Sequence, residues 1–284
     1  RRPQAGALIH PQNLALWKSM QQALGMLYRT YQTAFTDFIR HTGLPDSVLG
    51  LLLAAETLEP GIISPEKLMV RGPYTAEQTW MGRLQIAAEK GLLMEPEPGE
   101  FRLSQVGRQK IHALVKEVQQ AIAAADPLEP QDSQRLASLL GKLVEECLFT
   151  PPPPDTWSIR LAYQLMPGES PPLPYTEQAL SCLQAYRDDA HLAAWRPGGL
   201  RGAQLETLTL IWRGKAASLD EIYDQLAARG FERHDYQAAL RELRQRKWVV
   251  GKDQAIRMTE AGLSYREQVE KDTDRYFFQP WQKL

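Results

Sequence analysis

The stretch Glu232-Arg-His-Asp-Tyr-Gln-Ala-Ala-Leu-Arg-Glu-Leu-Arg-Gln-Arg-Lys-Trp-Val-Val-Gly-Lys-Asp-Gln-Ala-Ile-Arg-Met-Thr-Glu-Ala-Gly262 decides the fold. Its first part has helical periodicity. At about 100° per residue, Tyr236, Ala239, Leu240 and Leu243 gather on one face. His234, Gln237, Arg241 and Gln245 gather on the opposite face, with Arg233 and Arg244 at its edge. One face is core and the other is free to touch something. Trp248, Val249 and Val250 favour a pleated strand, and Gly251 lets the chain turn without steric cost. A short polar turn leads into a second strand from Ile256 that stops at Thr259, whose oxygen can cap the next helix. The reading is a helix laid on a two-stranded hairpin, the core of a winged helix.

The same device appears upstream. Leu84 to Met94 is a helix running into an apolar strand, followed by the turn Glu95-Pro-Glu-Pro-Gly-Glu100. Phe101-Arg102-Leu103-Ser104-x-x-Gly107 superimposes on Ile256-Arg257-Met258-Thr259-x-x-Gly262 at an offset of 155 residues. Self-similarity at a fixed offset is a signature of duplicated units. The expected fold class is therefore mainly α with small β-hairpins, as two tandem winged-helix domains joined by a Pro-rich helical arm.

Outward from these two centres, Pro11 to Arg40 reads as one helix or two with an amphipathic stripe through Trp17, Leu24, Tyr31 and Phe38. This stripe, with the helix Arg108 to Ala125, forms either a homodimer interface or a bracket over the first winged unit. Asp46 to Leu58 is a helix. Ser64-Pro-Glu-Lys starts another, with Pro at the first helical position. Gly72-Pro73 breaks the chain before a helix beginning at Thr75. Ten of the 20 prolines lie between Pro127 and Pro174, including the run Pro151 to Pro154. Ser133 to Phe149 is helical within that region, and the remainder reads as extended connection, because proline fixes φ and removes an amide. Helices follow at Tyr175 to Ala194 and Ala203 to Arg213. Ser218-Leu-Asp-Glu221 offers a capping box, and Gly230 ends that helix. Tyr265 to Asp274 is the expected terminal helix, with an aromatic tail, Tyr276 to Trp281, folding back. The domains implied are 1–126, a connecting arm 127–174, and 175–284.

Length allows two domains, and 43% hydrophobic with 24% charged residues is ordinary for a globular protein. A net charge of -1 means that any nucleic-acid site is a local patch. Cys147 and Cys182 make neither a disulfide framework nor a Cys-rich metal site and read as buried thiols. No apolar run approaches a membrane span, and Arg1-Arg-Pro-Gln4 shows no signal-peptide pattern, so a cytoplasmic protein without membrane contact is expected. There is no phosphate loop, nucleophile elbow or His-Glu-x-x-His helix. His10, His41, His112, His191 and His234 fall at no metal-ligand spacing. No cofactor, metal or catalytic residue is expected, and the chain does not read as an enzyme.

Two runs carry functional expectations. In Tyr186-Arg-Asp-Asp-Ala-His191, helical spacing puts Arg187 and Asp188 beside His191, at i, i+4 and i, i+3, and an acid next to a His can set its tautomer. Arg187, Asp189 and His191 are the candidate lining of a small-molecule effector pocket. Between Arg229 and Arg257, eight basic residues stand against four acids. Arg and Gln on an exposed helix suit purine edges in a major groove, and cations suit phosphates. Arg233, His234, Gln237, Arg241, Arg244, Gln245 and, on the wing, Lys252 are the candidate contacts to double-stranded DNA. The first unit is a poorer reader. Its helix would expose Thr75, Gln78, Thr79, Gly82, Ile86 and Glu89, and its wing carries Glu95, Glu97 and Glu100.

The paired helix-hairpin-helix units resemble winged helices of the MarR-like regulator superfamily, in which terminal helices dimerise and the second helix of the helix-turn-helix enters the major groove. Tyr186 to His191, Met258-Thr-Glu-Ala-Gly262, Glu270-Lys-Asp-Thr-Asp-Arg275 and Pro280-Trp281 are similar to the C-terminal half of an actinobacterial helix-turn-helix-containing family of unassigned function. That resemblance covers Tyr175 to Leu284. Its pattern has an Arg, an acid and a His where Arg187, Asp189 and His191 stand. The winged-helix architecture and the basic second unit point to a DNA-binding transcription regulator, with a ligand-sensing or partner-binding protein that reuses winged helices as the alternative. The acidic first wing departs from a two-site DNA binder.

Overall fold

The computed structural model describes residues 11–152 and 157–283. His10, the Arg1 to Gln4 start, Pro153, Pro154 and Leu284 lie outside the described residues. Twelve α-helices and two antiparallel hairpins are present among the described residues, so the fold is mainly α with small β-hairpins. In chain order they are α1 (Pro11–Thr42), α2 (Asp46–Leu58), α3 (Pro65–Arg71), α4 (Glu77–Glu89), β1 (Leu93–Glu97), β2 (Glu100–Leu103), α5 (Gln105–Ala124), α6 (Pro130–Phe149), α7 (Ser158–Tyr163), α8 (Pro172–Trp195), α9 (Gly202–Trp212), α10 (Leu219–Leu226), α11 (Arg233–Gln245), β3 (Val249–Val250), β4 (Arg257–Met258) and α12 (Glu260–Phe278). No helix among the described residues is long and apolar enough to cross a membrane.

The chain forms two compact units. One comprises residues 1–63, 83–190 and 274–284, and the other 64–82 and 191–273. In the first, much of the stripe on α1 packs internally. Trp17 joins a core with Leu140, Val144, Leu183, Tyr186 and Phe277. Further along α1, Tyr31 packs with Ile122 and Leu173, and Ala34 with Leu49 and Leu114. In this chain α5, α6 and α8 supply apolar surface to the stripe, as a bracket requires, while Leu14 and Tyr28 on α1 stay exposed. Most of the Pro-rich region is helical. The α6 helix covers the expected Ser133 to Phe149 span and contributes Leu140, Leu143, Val144 and Cys147 to the same core, while α7 and the start of α8 are helical in place of the expected extended connection. The terminal helix is also longer than its expected Tyr265 to Asp274. Phe277 and Phe278 lie on α12, because burial of both rings extends the helix into the aromatic segment.

Around the first hairpin, Leu93 pairs with Leu103 and Met94 with Arg102. Ile63 adds an antiparallel bridge to Phe101. Ser104 caps α5, accepting from the Gly107 amide at 2.9 Å while its hydroxyl donates to Gly91 O at 2.6 Å. The Ser104 amide donates to Leu92 O at 3.0 Å. A Cβ on Gly107 would stand 1.9 Å from that same carbonyl oxygen, so only glycine lets α5 approach.

In the second unit, Val249 pairs with Met258 and Val250 with Arg257. The Ile256 amide donates to Ala217 O at 2.7 Å. Thr259 caps α12 through the Gly262 amide at 3.1 Å, and its hydroxyl donates to Lys247 O at 2.6 Å. The Thr259 amide donates to Trp248 O at 3.0 Å. A Cβ on Gly262 would meet that oxygen at 2.2 Å. The aligned residues of the two motifs make the same bonds. The strand starts at Val249 rather than Trp248, because the Trp248 amide is committed to Leu243 O at 3.0 Å at the end of α11, while its ring stacks on Tyr265 with centroids 4.0 Å apart.

The overlap created by a methyl group at either glycine gives the first expectation. Gly107→Ala and Gly262→Ala should each cost about 2–3 kcal/mol, the scale of overpacking a tight contact, read as a lower thermal midpoint. A buried carboxyl gives the second. Glu177 accepts from the Tyr31 hydroxyl at 2.7 Å, and burial raises its pKa despite hydrogen bonds from Tyr31 and Ser181. The folded chain thus holds this proton more tightly than the unfolded chain does. Its stability falls as pH rises from the ordinary carboxylate range through the raised folded value. Glu177→Gln, which keeps an acceptor for Tyr31, should raise the thermal midpoint at neutral pH, with the difference vanishing in acid.

Candidate nucleic-acid interface

In the second unit, α9, α10 and α11 pack around Leu208, Ile211, Ile222, Tyr236, Leu240 and Leu243, with Val249 and Ile256 closing the core from the hairpin. Ser218 caps α10 by accepting from the Glu221 amide at 3.2 Å. A short 3-10 turn, Ala227–Arg229, ends at Gly230 with φ of 75°. Asp235 accepts from the Glu232 amide at 2.9 Å and starts α11. This is a helix-turn-helix whose second helix is α11.

On α11, Tyr236, Ala239, Leu240 and Leu243 are buried. Arg233, His234, Gln237, Arg241 and Gln245 are exposed, as is Lys252 on the wing. Three of the four local acids are committed inside the unit, because Glu242 pairs with Arg201 at 2.6 Å, Asp235 caps the helix, and Asp253 holds the wing. Arg241 and Lys252 have no ion pair among the described residues. Arg233 forms a solvated pair with Asp220.

Arg244 has a different setting. It is half-buried and bonds Asp253 at 2.8 Å, while Gln237 reaches the other carboxylate oxygen at 3.5 Å. The Asp253 carbonyl accepts from the Leu219 amide at 2.8 Å. One wing residue thus links α10, α11 and the hairpin, and Arg244 serves that link.

The segment leading into α4 is not exposed as its sequence suggests, although Gln78 and Glu89 are. Thr75 is 3% exposed, and the Ala76 amide donates to Arg229 O at 2.8 Å. Thr79 is half-buried, and its hydroxyl would lie 1.7 Å from a Cβ placed on Gly230. Tyr74 accepts from the Trp195 indole at 3.0 Å. The backbone of Pro73 lies so close to Gly202 that a Cβ there would meet Pro73 O at 2.0 Å. The segment entering α4, with Thr79 on its first turn, is packed on the turn of the second helix-turn-helix, while Glu77 and Gln78 stay exposed. The responsible contacts join residues far apart in sequence, so helical phase does not reveal them.

Arg187, Asp189 and His191 each have a partner within the protein. Asp189 is buried and accepts the Ser158 and Ile159 amides at 2.9 and 3.0 Å, which anchors the start of α7. Burial raises its pKa, with these amides pulling the other way. Arg187 pairs with Asp274 at 2.7 Å and lies over the Phe277 ring. In the other unit, His191 Nδ1 is 3.1 Å from the Thr273 hydroxyl. No cluster of three or more His, Cys, Asp or Glu suited to a metal gathers among the described residues.

The Arg244–Asp253 link carries a testable energy. Both side chains are less than a third exposed, at 29% and 26%. A double-mutant cycle with Arg244→Ala and Asp253→Asn should return a coupling of about 1 kcal/mol in folding stability.

A helix-turn-helix family model matches residues 102–284. No curated protein and no solved structure matches the chain. The matched segment covers more than half of the sequence and includes α9 to α12 with their hairpin. The chain belongs to this helix-turn-helix family.

Proposed function

We propose that the protein is a winged-helix DNA-binding transcription regulator of MarR-like type, with two copies of one helix-hairpin-helix unit of which the second meets DNA. The observation that carries this reading is the division of α11 into a buried face and an exposed face bearing His234, Gln237, Arg241 and Gln245. Such a helix suits a major groove, with Arg and Gln able to pair bidentately with purine edges. Arg233 at the helix start and Lys252 on the wing suit phosphates. Arg244 contributes by holding the wing against the helix. One reading helix per chain fits one half-site, so a homodimer would supply the second.

The alternative is a ligand-sensing or partner-binding protein that reuses winged helices. The burial of Thr75 favours it, since it gives one such helix a packing role. Under that reading, Arg187, Asp189 and His191 are the residues offered to a small-molecule effector.

Titration of a mixed-sequence duplex at low salt separates the readings. The regulator binds, and Lys252→Ala weakens binding and reduces the salt slope by about one, the share of one phosphate-neutralising cation. Glu97→Gln in the first wing leaves both unchanged. Absence of binding by the intact chain favours the alternative.

A further inference from the structure

Among the described residues, positive φ occurs at seven glycines and at one other residue, Lys247, with φ of 59°. A left-handed backbone crowds the Cβ of an ordinary side chain, and glycine is the usual solution. The first unit uses that solution. Gly91, with φ of 71°, occupies the same place between its helix and hairpin, and its carbonyl accepts from Ser104 as Lys247 O accepts from Thr259. The turn itself does not require lysine, since the equivalent turn closes on the same bonds with glycine.

The lysine side chain is exposed and follows α11 directly, between that helix and β3. Its amide is committed to Arg244 O at 2.9 Å and its carbonyl to Thr259. Only the ammonium group is left without a structural task, and it has no ion pair among the described residues. Arg241 and Gln245 precede it on the exposed face, and Arg257 is exposed on β4. Strain retained where a strain-free residue would serve indicates that the side chain is used.

We infer that Lys247 is a DNA-phosphate contact, held at the junction of reading helix and wing at a cost in stability. The assignment rests on the DNA-binding reading. It adds a residue at the hinge between the two elements, where a cation meets the backbone flanking the groove that α11 enters.

The test uses the intact chain with Lys247→Gly, Lys247→Asn and Lys247→Arg. Glycine should raise the thermal midpoint by roughly 2–4 °C, because it relieves the left-handed strain. Glycine and asparagine, which both tolerate this backbone, should weaken binding of a mixed-sequence duplex several-fold and reduce the salt slope by about one. Arginine should retain both affinity and slope. Wild-type binding with unchanged affinity and slope in the glycine and asparagine variants overturns the Lys247 assignment alone. Failure of the wild-type chain to bind any duplex overturns the DNA reading and this assignment with it. A thermal midpoint that falls with glycine overturns the strain argument.

Discussion

Each hairpin depends on a single backbone carbonyl. Leu92 O in one motif and Trp248 O in the other accept an amide from the residue that caps the following helix, each at 3.0 Å. Each lies under a glycine of that helix, so closely that a methyl group would overlap it. The hydroxyl of the same cap residue bonds the carbonyl one residue earlier. Three contacts thus fix strand, turn and helix together within a few residues. They also orient the hairpin on the preceding helix, because the turn that presents these carbonyls is the end of that helix. A wing with only two short strands has little ladder of its own, and a two-stranded hairpin is marginal in water. The capped junction supplies the rigidity that the ladder lacks.

The same local frame serves two different ends. Around α11, the buried residues face the core of the second unit and the polar residues face solvent, with acids drawn into caps and ion pairs. At α4, the segment entering the helix and Thr79 on its first turn are covered, through Ala76, Thr79 and the aromatic group of Tyr74 and Trp195. Glycine is needed at residues 202 and 230 because backbone or side chain from the 64–82 segment approaches too closely for a Cβ. Exposure, more than motif, separates the helix suited to reading from the helix used for packing.

Much of this was legible in the sequence because it is local. The span of α2, the caps at Ser64, Ser104, Ser218 and Thr259, both hairpins, and the two faces of α11 all follow from residues within a few positions of one another. The misjudged features depend on distant partners. Asp189 was a pocket candidate with Arg187 and His191, and its carboxylate holds amides about thirty residues earlier, at Ser158 and Ile159. Thr75 looked exposed by phase and is buried, beside the Ala76 amide that bonds Arg229 O. The prolines near α6 suggested extended chain, but Pro130 lies in the first turn, where a missing amide costs nothing. Lys247 was visible only as one basic residue among eight, because its backbone conformation leaves no mark in composition.

Amide hydrogen exchange on the intact chain, with and without a duplex selected from random sequence, tests most directly whether one helix and its wing carry DNA recognition. The account predicts added protection over residues 233–258, spanning α11 and its hairpin, and no change over the first hairpin at residues 93–103. Protection centred on the first hairpin with none at α11 would contradict it.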